Sequence, residues 1–534
     1  MNSRILRFLF LFLFLSILGL MLYFLLFLFS GYDTLIARFS IFLSEDQKQK
    51  LISSYLTPFK FYFLKIIGFF FAFLWIALGI FLYKNLTKIE QKFQTKFNLY
   101  KEFFFKAYSQ VNTKQKYSLF ATLFSLIGLR LLWAYFYPLT YDEIFIWEEF
   151  VQRGFAVSIS YYPIHGNHVF QTLIVYFFSF LGPLWALRLP SIIFAFVLDG
   201  LVFLYLFYTT KSIKQSLLGT FLLTFFYVNW IHSFLGRGYQ TALTLCFLIF
   251  ILYQKKWTQR FFYELIILQV LVLFTLPSAL FFLLPFWALH LYNGLWIYKN
   301  VLFTFLGSFC VYLPVLLFFN FQVLFSGAYY QPVQINQRLI FFNQIWQIPD
   351  WWNLSYGFGI FFTLFLLLIL WIDYKKSNQN VSLFFSIYLI EIIVLGIFTS
   401  IPAKAFMPLS FIWIYFCSRF IIRCNFYQLI LCICIFFFLL ISNYIEFKTQ
   451  FQKHFQAFQF ARKVFQFYPK NLNLNIHLSP WDDTDLYFLN LKHVYHQNGL
   501  TVKIDESSEF MMTTSTQIRG KIVLEDENMK LIRK

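Results

Sequence analysis

Charge is what this chain has least of. Of its 534 residues only 13% are Asp, Glu, Lys or Arg, while 60% are apolar and 24% aromatic, 81 of them Phe. Soluble domains carry about 25% charged residues, so a water-soluble enzyme and a disordered chain are both excluded. Cysteine is scarce as well. The six, Cys246, Cys310, Cys417, Cys424, Cys432 and Cys434, fall in or beside apolar runs, and none forms a ligand-spaced C-x-x-C set. Neither a disulfide framework nor a zinc site is indicated. Internal repeats are absent apart from Phe/Leu low complexity. Also missing is a basic face: the net charge of +19 comes from Lys and Arg scattered through short loops between apolar runs. That distribution suits membrane topology and anionic headgroups, and nucleic acid is not expected as a partner.

What the chain does have is apolar length. A bilayer span takes about 20 mostly apolar residues, and such runs predict spans near 8–29, 61–82, 118–137, 188–209, 216–231, 239–253, 261–276, 278–292, 301–320, 353–372, 381–399, 406–422 and 427–444, about 13 in all. A cytoplasmic N-terminus places most Lys and Arg inside, as the positive-inside rule requires. It puts 138–187, 232–238, 321–352, 400–405 and the C-terminal tail on the outer face. The first run follows Arg4 and Arg7 but is too long for a signal-peptide core and lacks a small-residue cleavage site, so it reads as an uncleaved signal anchor. The run 168–181 is short for a span and is assigned to an interfacial helix, with 144–153 as a second. The predicted fold is therefore an all-α polytopic membrane protein of about 13 transmembrane helices, with interfacial helices in its first large outer loop and a small α/β C-terminal domain. Three segments are expected: a two-span extension over 1–117 with a Lys-rich cytoplasmic linker, a transmembrane module over 118–444, and an extracytoplasmic domain over 445–534.

Function must come from the few polar positions. Tyr137-Pro138-Leu139-Thr140-Tyr141-Asp142-Glu143 carries adjacent carboxylates at the water end of a span. Such a pair suits acid/base chemistry at the mouth of a membrane cavity, and equally the capping of an interfacial helix. Next comes His165-Gly166-Asn167-His168, whose two imidazoles suit a phosphate or metal, or simply a polar loop. Arg237, between Gly236 and Gly238, suits a phosphate through its planar fork, or a snorkelling interfacial position. The loop 321–352, with Tyr329, Tyr330, Trp346, Trp351 and Trp352, reads as a lid or acceptor surface, and equally as an ordinary interfacial aromatic belt.

Taken in order, Asp142-Glu143, the His loop, the interfacial helix, Arg188-Leu189-Pro190-Ser191, Gly236-Arg237-Gly238-Tyr239, Leu276-Pro277-Ser278-Ala279-Leu280 and Ile401-Pro402-Ala403-Lys404-Ala405-Phe406-Met407-Pro408 resemble the GT-C-type integral-membrane glycosyltransferases. The likeness is to the branch akin to protein O-mannosyltransferases, aminoarabinose transferases and rhizobial lipopolysaccharide core transferases, and it covers about residues 118–444. It implies transfer of one sugar, with inversion, from a polyprenyl-phosphate carrier to a glycan, lipid or protein acceptor at the outer face of the inner membrane. It places the catalytic acids at Asp142 and Glu143, with Asp142 the general base. Arg237, Lys404 and His168 would bind the donor phosphate, and His165, Asn167 and Tyr239 the substrate. Where some relatives carry an acid after the Arg, this chain has Gly238, Tyr239, Gln240 and Thr241, which leaves a divalent metal an open question. Lys404 stands where relatives often have Arg, keeping the charge and losing the fork.

A rival from another class is a transporter or flippase of lipid-linked intermediates. It would use Arg130, Asp199 and Glu391, which lie within predicted spans, as its polar path. Pairing of these groups with one another is the simpler expectation.

Overall fold

The computed structural model describes residues 31–40, 56–84, 111–162, 167–225, 227–254, 262–290, 295–318, 383–391, 448–476, 484–504, 510–513, 521–525 and 529–533, with isolated positions between them. Its helices, in chain order, are α1 (Tyr32–Ser40), α2 (Pro58–Lys84), α3 (Thr113–Phe136), α4 (Tyr141–Ile146), α5 (Phe155–Ser160), α6 (Val169–Phe177), α7 (Gly182–Thr210), α8 (Ile213–Thr224), α9 (Tyr227–His232), α10 (Tyr239–Gln254), α11 (Phe262–Thr275), α12 (Leu280–His290) and α13 (Leu295–Phe318). Residues 383–391 form α14 and 448–467 form α15, and α16 spans Thr484–Gln497. Among the described residues, Thr113–Phe136, Ser179–Thr210 and Ile297–Leu316 are long and apolar enough to cross a membrane, with shorter apolar helices at Tyr239–Leu252, Phe262–Thr275 and Pro277–Leu289. The chain is thus mostly helical with apolar helices of spanning length. The expected spans at 353–372 and 427–444, most of 8–29 and most of 406–422 lie outside the described residues.

Local chemistry sets several boundaries. Asn112 and Gln115 close a capping box that starts α3. The run 216–231, expected as one span, is instead α8 and α9 with a break after Thr224. Asn229 draws its amide to the carbonyl of Leu223 at 3.0 Å, which satisfies a chain end that a continuous helix would have bonded. The run 168–181 is short in the structure too: α6 ends at Phe177 and passes through a 3₁₀ turn, Ser179–Leu181, into α7.

Among the described residues, the two largest apolar cores tie the apolar helices together. One joins α7, α8, α10, α11 and α12, with Phe384, Tyr388 and Phe411 against Phe250 and Phe282. The other gathers the loop helices α4 to α6, through Trp147, Phe150, Val169 and Val175, around Tyr312 of α13. Leu35, Ile36, Leu56 and Phe61 belong to this second core, so α1 and the start of α2 pack on the helices α4 to α6.

Beyond α15 the chain builds a small mixed domain. Strands β1 (Leu472–Leu474) and β2 (Val502–Ile504) pair in parallel, with α16 as the crossover between them. Strands β3 (Phe510–Thr513), β4 (Lys521–Glu525) and β5 (Lys530–Arg533) form an antiparallel sheet in the order β3-β5-β4, joined to β1 through the Asn475–Met511 bridge. Ala457, Phe460 and Val464 of α15 seal this core against Leu491 and Tyr495 of α16. The α/β expectation for the tail holds.

Within the membrane module, Arg130 and Asp199 pair. Arg130 donates Nη1 to Asp199 Oδ2 at 2.5 Å and Nε to Ser233 at 3.0 Å, while Thr224 donates to Asp199 Oδ1 at 2.8 Å. Both charges are buried and tie α3, α7 and α8 together. Removing one partner strands the other in a low-dielectric setting, so Asp199→Leu alone will cost about 3–5 kcal/mol and the double change Arg130→Met/Asp199→Leu far less. Thermal unfolding of purified protein in one detergent checks the ordering.

Candidate functional site

The adjacent acids point to different partners. Thr140 is the N-cap of α4, and Glu143 at the third position completes a capping box with it. The expected capping role therefore falls to Thr140 and Glu143, with Asp142 inside the first turn. Glu143 is fully buried. Its Oε1 accepts from Arg188 Nε at 2.8 Å and from the backbone N–H of Gly236 at 2.8 Å; its Oε2 accepts from Arg188 Nη2 at 2.7 Å, the Thr140 N–H at 2.9 Å and the Thr140 hydroxyl at 3.1 Å. Burial pushes its carboxyl upward, but the Arg188 guanidinium and these donors outweigh that and hold it below the usual range.

Arg188 is used as completely. Besides Glu143 it donates to the carbonyls of Ala134 and Tyr137, each at 2.7 Å, and Pro138 at 2.9 Å. All five of its N–H groups are spent, three of those bonds on the chain end of α3, where helix carbonyls lack partners.

Asp142 is the half-exposed acid. Its Oδ1 meets Arg237 Nη2 at 2.6 Å, with 37% of its side chain accessible against 10% for Arg237. The glycines flanking Arg237 are required by close approach. A Cβ on Gly236 would lie 2.7 Å from Leu187 Cβ, and one on Gly238 would lie 2.8 Å from His168 Cβ and 2.9 Å from Thr275 Cγ2. Only glycine lets this loop pass between α7 on one side and His168 with Thr275 on the other. Arg237 then lies over the Tyr239 ring at 5.3 Å, and Tyr239 in turn stands between two imidazoles, His168 at 4.9 Å and His232 at 4.5 Å. His168 Nδ1 lies 3.2 Å from the Thr275 carbonyl. A carbonyl can only accept, so Nδ1 carries a proton.

A further imidazole comes from α15. His454 lies beside Tyr137, ring centroids 6.3 Å apart. Burial pushes it down to about 4, although Glu143 and Asp142 pull the other way, so it is neutral at pH 7 and within electrostatic reach of both acids.

The structure thus brings Asp142, Arg237, Tyr239 and His168 into one cluster and sets Glu143 beneath it as a buried anchor. Asn167 is buried and occupied: it donates to the carbonyls of Ser158 at 3.3 Å and Tyr161 at 2.8 Å and accepts from Thr172 at 2.8 Å, which braces the start of α6. His165 and Lys404 lie outside the described residues. Among the described residues no three His, Cys, Asp or Glu side chains converge as a metal site. Sequence reasoning quoted Arg188 in a motif without giving it a role, and passed over His232 and His454. For Arg188 a signal existed, an ionisable residue inside an apolar run, and Thr140-x-x-Glu143 is a capping-box spacing. His454 had none, since hundreds of residues separate it from Asp142.

Two outcomes follow from this geometry. Glu143→Gln leaves the buried Arg188 charge unmatched and will cost about 3–5 kcal/mol, whereas Asp142→Asn, at a partly exposed pair, will cost under about 1 kcal/mol; thermal unfolding in detergent separates them. His454 has a folded value of about 4 against 6.5 unfolded. The unfolded chain therefore takes up its proton first, and stability present above pH 6.5 is lost as pH falls toward 4, by up to about 3 kcal/mol. Unfolding temperatures across that range will fall for the intact chain and fall less for His454→Asn.

No protein-family profile matches the chain, and neither curated proteins nor solved structures show a significant similarity to it.

Proposed function

We propose that the chain is an integral-membrane glycosyltransferase that moves a sugar from a polyprenyl-phosphate carrier to an acceptor hydroxyl at the outer face of the cytoplasmic membrane. The observation that carries this reading is the Asp142–Arg237 pair, a half-exposed carboxylate 2.6 Å from a guanidinium, just beyond the end of a helix of spanning length. A glycosyl phosphate breaks with negative charge building on the departing phosphate, and a preorganised cation there lowers the barrier most. The acceptor hydroxyl must lose its proton as its oxygen bonds to the sugar carbon, the work of a carboxylate base.

One pair can serve both demands in sequence. At rest Arg237 neutralises Asp142. When the carrier phosphate takes the guanidinium fork, Asp142 is released to accept the acceptor's proton. The acceptor oxygen then attacks the sugar carbon opposite the phosphate, the carbon–oxygen bond to phosphate breaks, and the phosphate leaves with its charge on Arg237, inverting that carbon. Tyr239, between His168 and His232, offers an aromatic face beside the guanidinium, and His168 packs against Gly238 of the Arg237 loop. Lys404 would supply a second cation by resemblance to the family. Glu143 in this scheme positions Asp142 and exchanges no proton, since every lone pair it offers is engaged.

The transporter alternative draws less support. Arg130 and Asp199 spend their charges on each other, which removes two of the three groups its polar path required.

The test is sugar transfer in membranes expressing the chain, supplied with radiolabelled polyprenyl-phosphate sugars. The intact protein will move label to a new acceptor, and Asp142→Asn at matched abundance will be slower by about 10²–10⁴-fold. Label that stays on the carrier with every sugar offered overturns the transferase reading. Equal transfer by both proteins keeps the enzyme and removes Asp142 as the base.

A further inference from the structure

Among the described residues, the largest charge cluster outside the candidate site lies where α16 docks on the helix that carries Asp142. Glu148, Glu149 and Arg153 come from the loop side, and Lys492, His493 and His496 from α16. All have side chains under a tenth exposed except His496, at 26%. Glu148 takes His493 Nδ1 on one oxygen at 2.8 Å and His496 Nδ1 on the other at 2.5 Å. Lys492 Nζ reaches Glu149 Oε1 at 2.8 Å, and Arg153 holds the second oxygen. Gln497 presents its amide nitrogen to His493 Nε2 at 2.9 Å. Two carboxylates thus face one ammonium, one guanidinium and two imidazoles in a single cluster.

Apolar contact alone could attach this domain, since Tyr141 already packs against its core. Burying charges adds several kcal/mol of desolvation cost per ion unless the geometry repays it, and what such clusters can add is a single orientation. The backbone is shaped for that. Residues Trp147–Val151 form a π-helical turn, in which the Gln152 N–H bonds five residues back to the Trp147 carbonyl at 3.0 Å. The wider turn narrows the angle between successive side chains, so that Glu148 and Glu149 both reach the same partner helix. The Asp142 helix is then held on two sides, into the membrane module by Glu143 and onto the C-terminal domain by Tyr141, Glu148 and Glu149. Asp142 stands between Tyr141 and Glu143, and its direction follows from both.

We propose that the C-terminal domain is a positioning clamp, in which Lys492, His493 and His496 hold the α4 helix through Glu149 and Glu148 and thereby keep Asp142 aimed at Arg237. The consequence for turnover rests on the transferase reading; the consequence for the helix does not.

The test uses the full chain in lipid nanodiscs, as the intact protein, Lys492→Ala, the double variant His493→Ala/His496→Ala, and Lys492→Arg. Hydrogen exchange at amides 142–151 reports the clamp, binding of polyprenyl phosphate reports the carrier site, and sugar transfer reports turnover. In both alanine variants exchange at 142–151 will rise by about tenfold, and kcat will fall by about tenfold or more with carrier affinity unchanged; Lys492→Arg will restore most of both. Unchanged exchange overturns the clamp. Raised exchange with unchanged kcat overturns positioning, and a rise in exchange across the whole chain together with lost carrier binding shows a merely structural role, which also overturns it. If the intact protein transfers no sugar, the transferase reading fails and the exchange at 142–151 alone decides the clamp.

Discussion

The pair of Glu143 and Arg188 is the interaction on which the rest of the candidate site depends. Both side chains are sealed from solvent, and each has spent its whole hydrogen-bonding capacity. Through them the end of α3, the start of α4, the first turns of α7 and the Gly236 loop share one node. A buried ion pair is tolerable only when geometry and extra donors repay its desolvation, and here five donors meet one carboxylate. The node leaves Asp142, one residue earlier, free to face the other way.

Around that node the polar groups follow a simple economy of burial. In the membrane module charges neutralise one another, as Arg130 and Asp199 do with help from Ser233 and Thr224. At the water end the arrangement is looser, and the Asp142–Arg237 pair stays accessible. A pair that is matched yet reachable can be opened by a competing anion, which is what a phosphate-bearing lipid would present. The aromatic content has a comparable division: Phe250, Phe282 and Phe384 fill the core between helices, while Phe59, Phe63, Phe70 and Phe73 of α2 remain exposed along its length, as an apolar helix surface in contact with lipid would be.

The C-terminal domain adds a third layer to the same site. It is joined to the loop helices by a buried cluster of opposite charges, and α15 brings His454 beside Tyr137. Burial disfavours the charged form of every group here, yet the outcomes differ: Glu148 is held near 2 because the donors His493 and His496 outweigh desolvation, whereas His454 is driven down toward 4 because the pull of Glu143 and Asp142 does not offset its burial. Electrostatics at this face are thus set by which partner accompanies each group rather than by depth alone.

Much of this was legible in the residues. The apolar runs announced helices of spanning length, because a segment that must bury its backbone in lipid has few other choices. The polar C-terminal tail announced a separate α/β unit, and the resemblance grouped Asp142, His168, Arg237 and Tyr239, which the fold brings near one another. What the chain could not announce was partnership. Asp142 and Glu143 are neighbours with the same functional group, and nothing local says that one is buried against Arg188 while the other faces Arg237. Lys492 and Glu149, or His454 and Tyr137, are hundreds of residues apart, and only packing brings them together. Composition and periodicity determine what each segment can be, because they act over a few turns of chain. The roles of individual charges were decided by the tertiary structure, because desolvation and pairing depend on neighbours that sequence separation does not reveal.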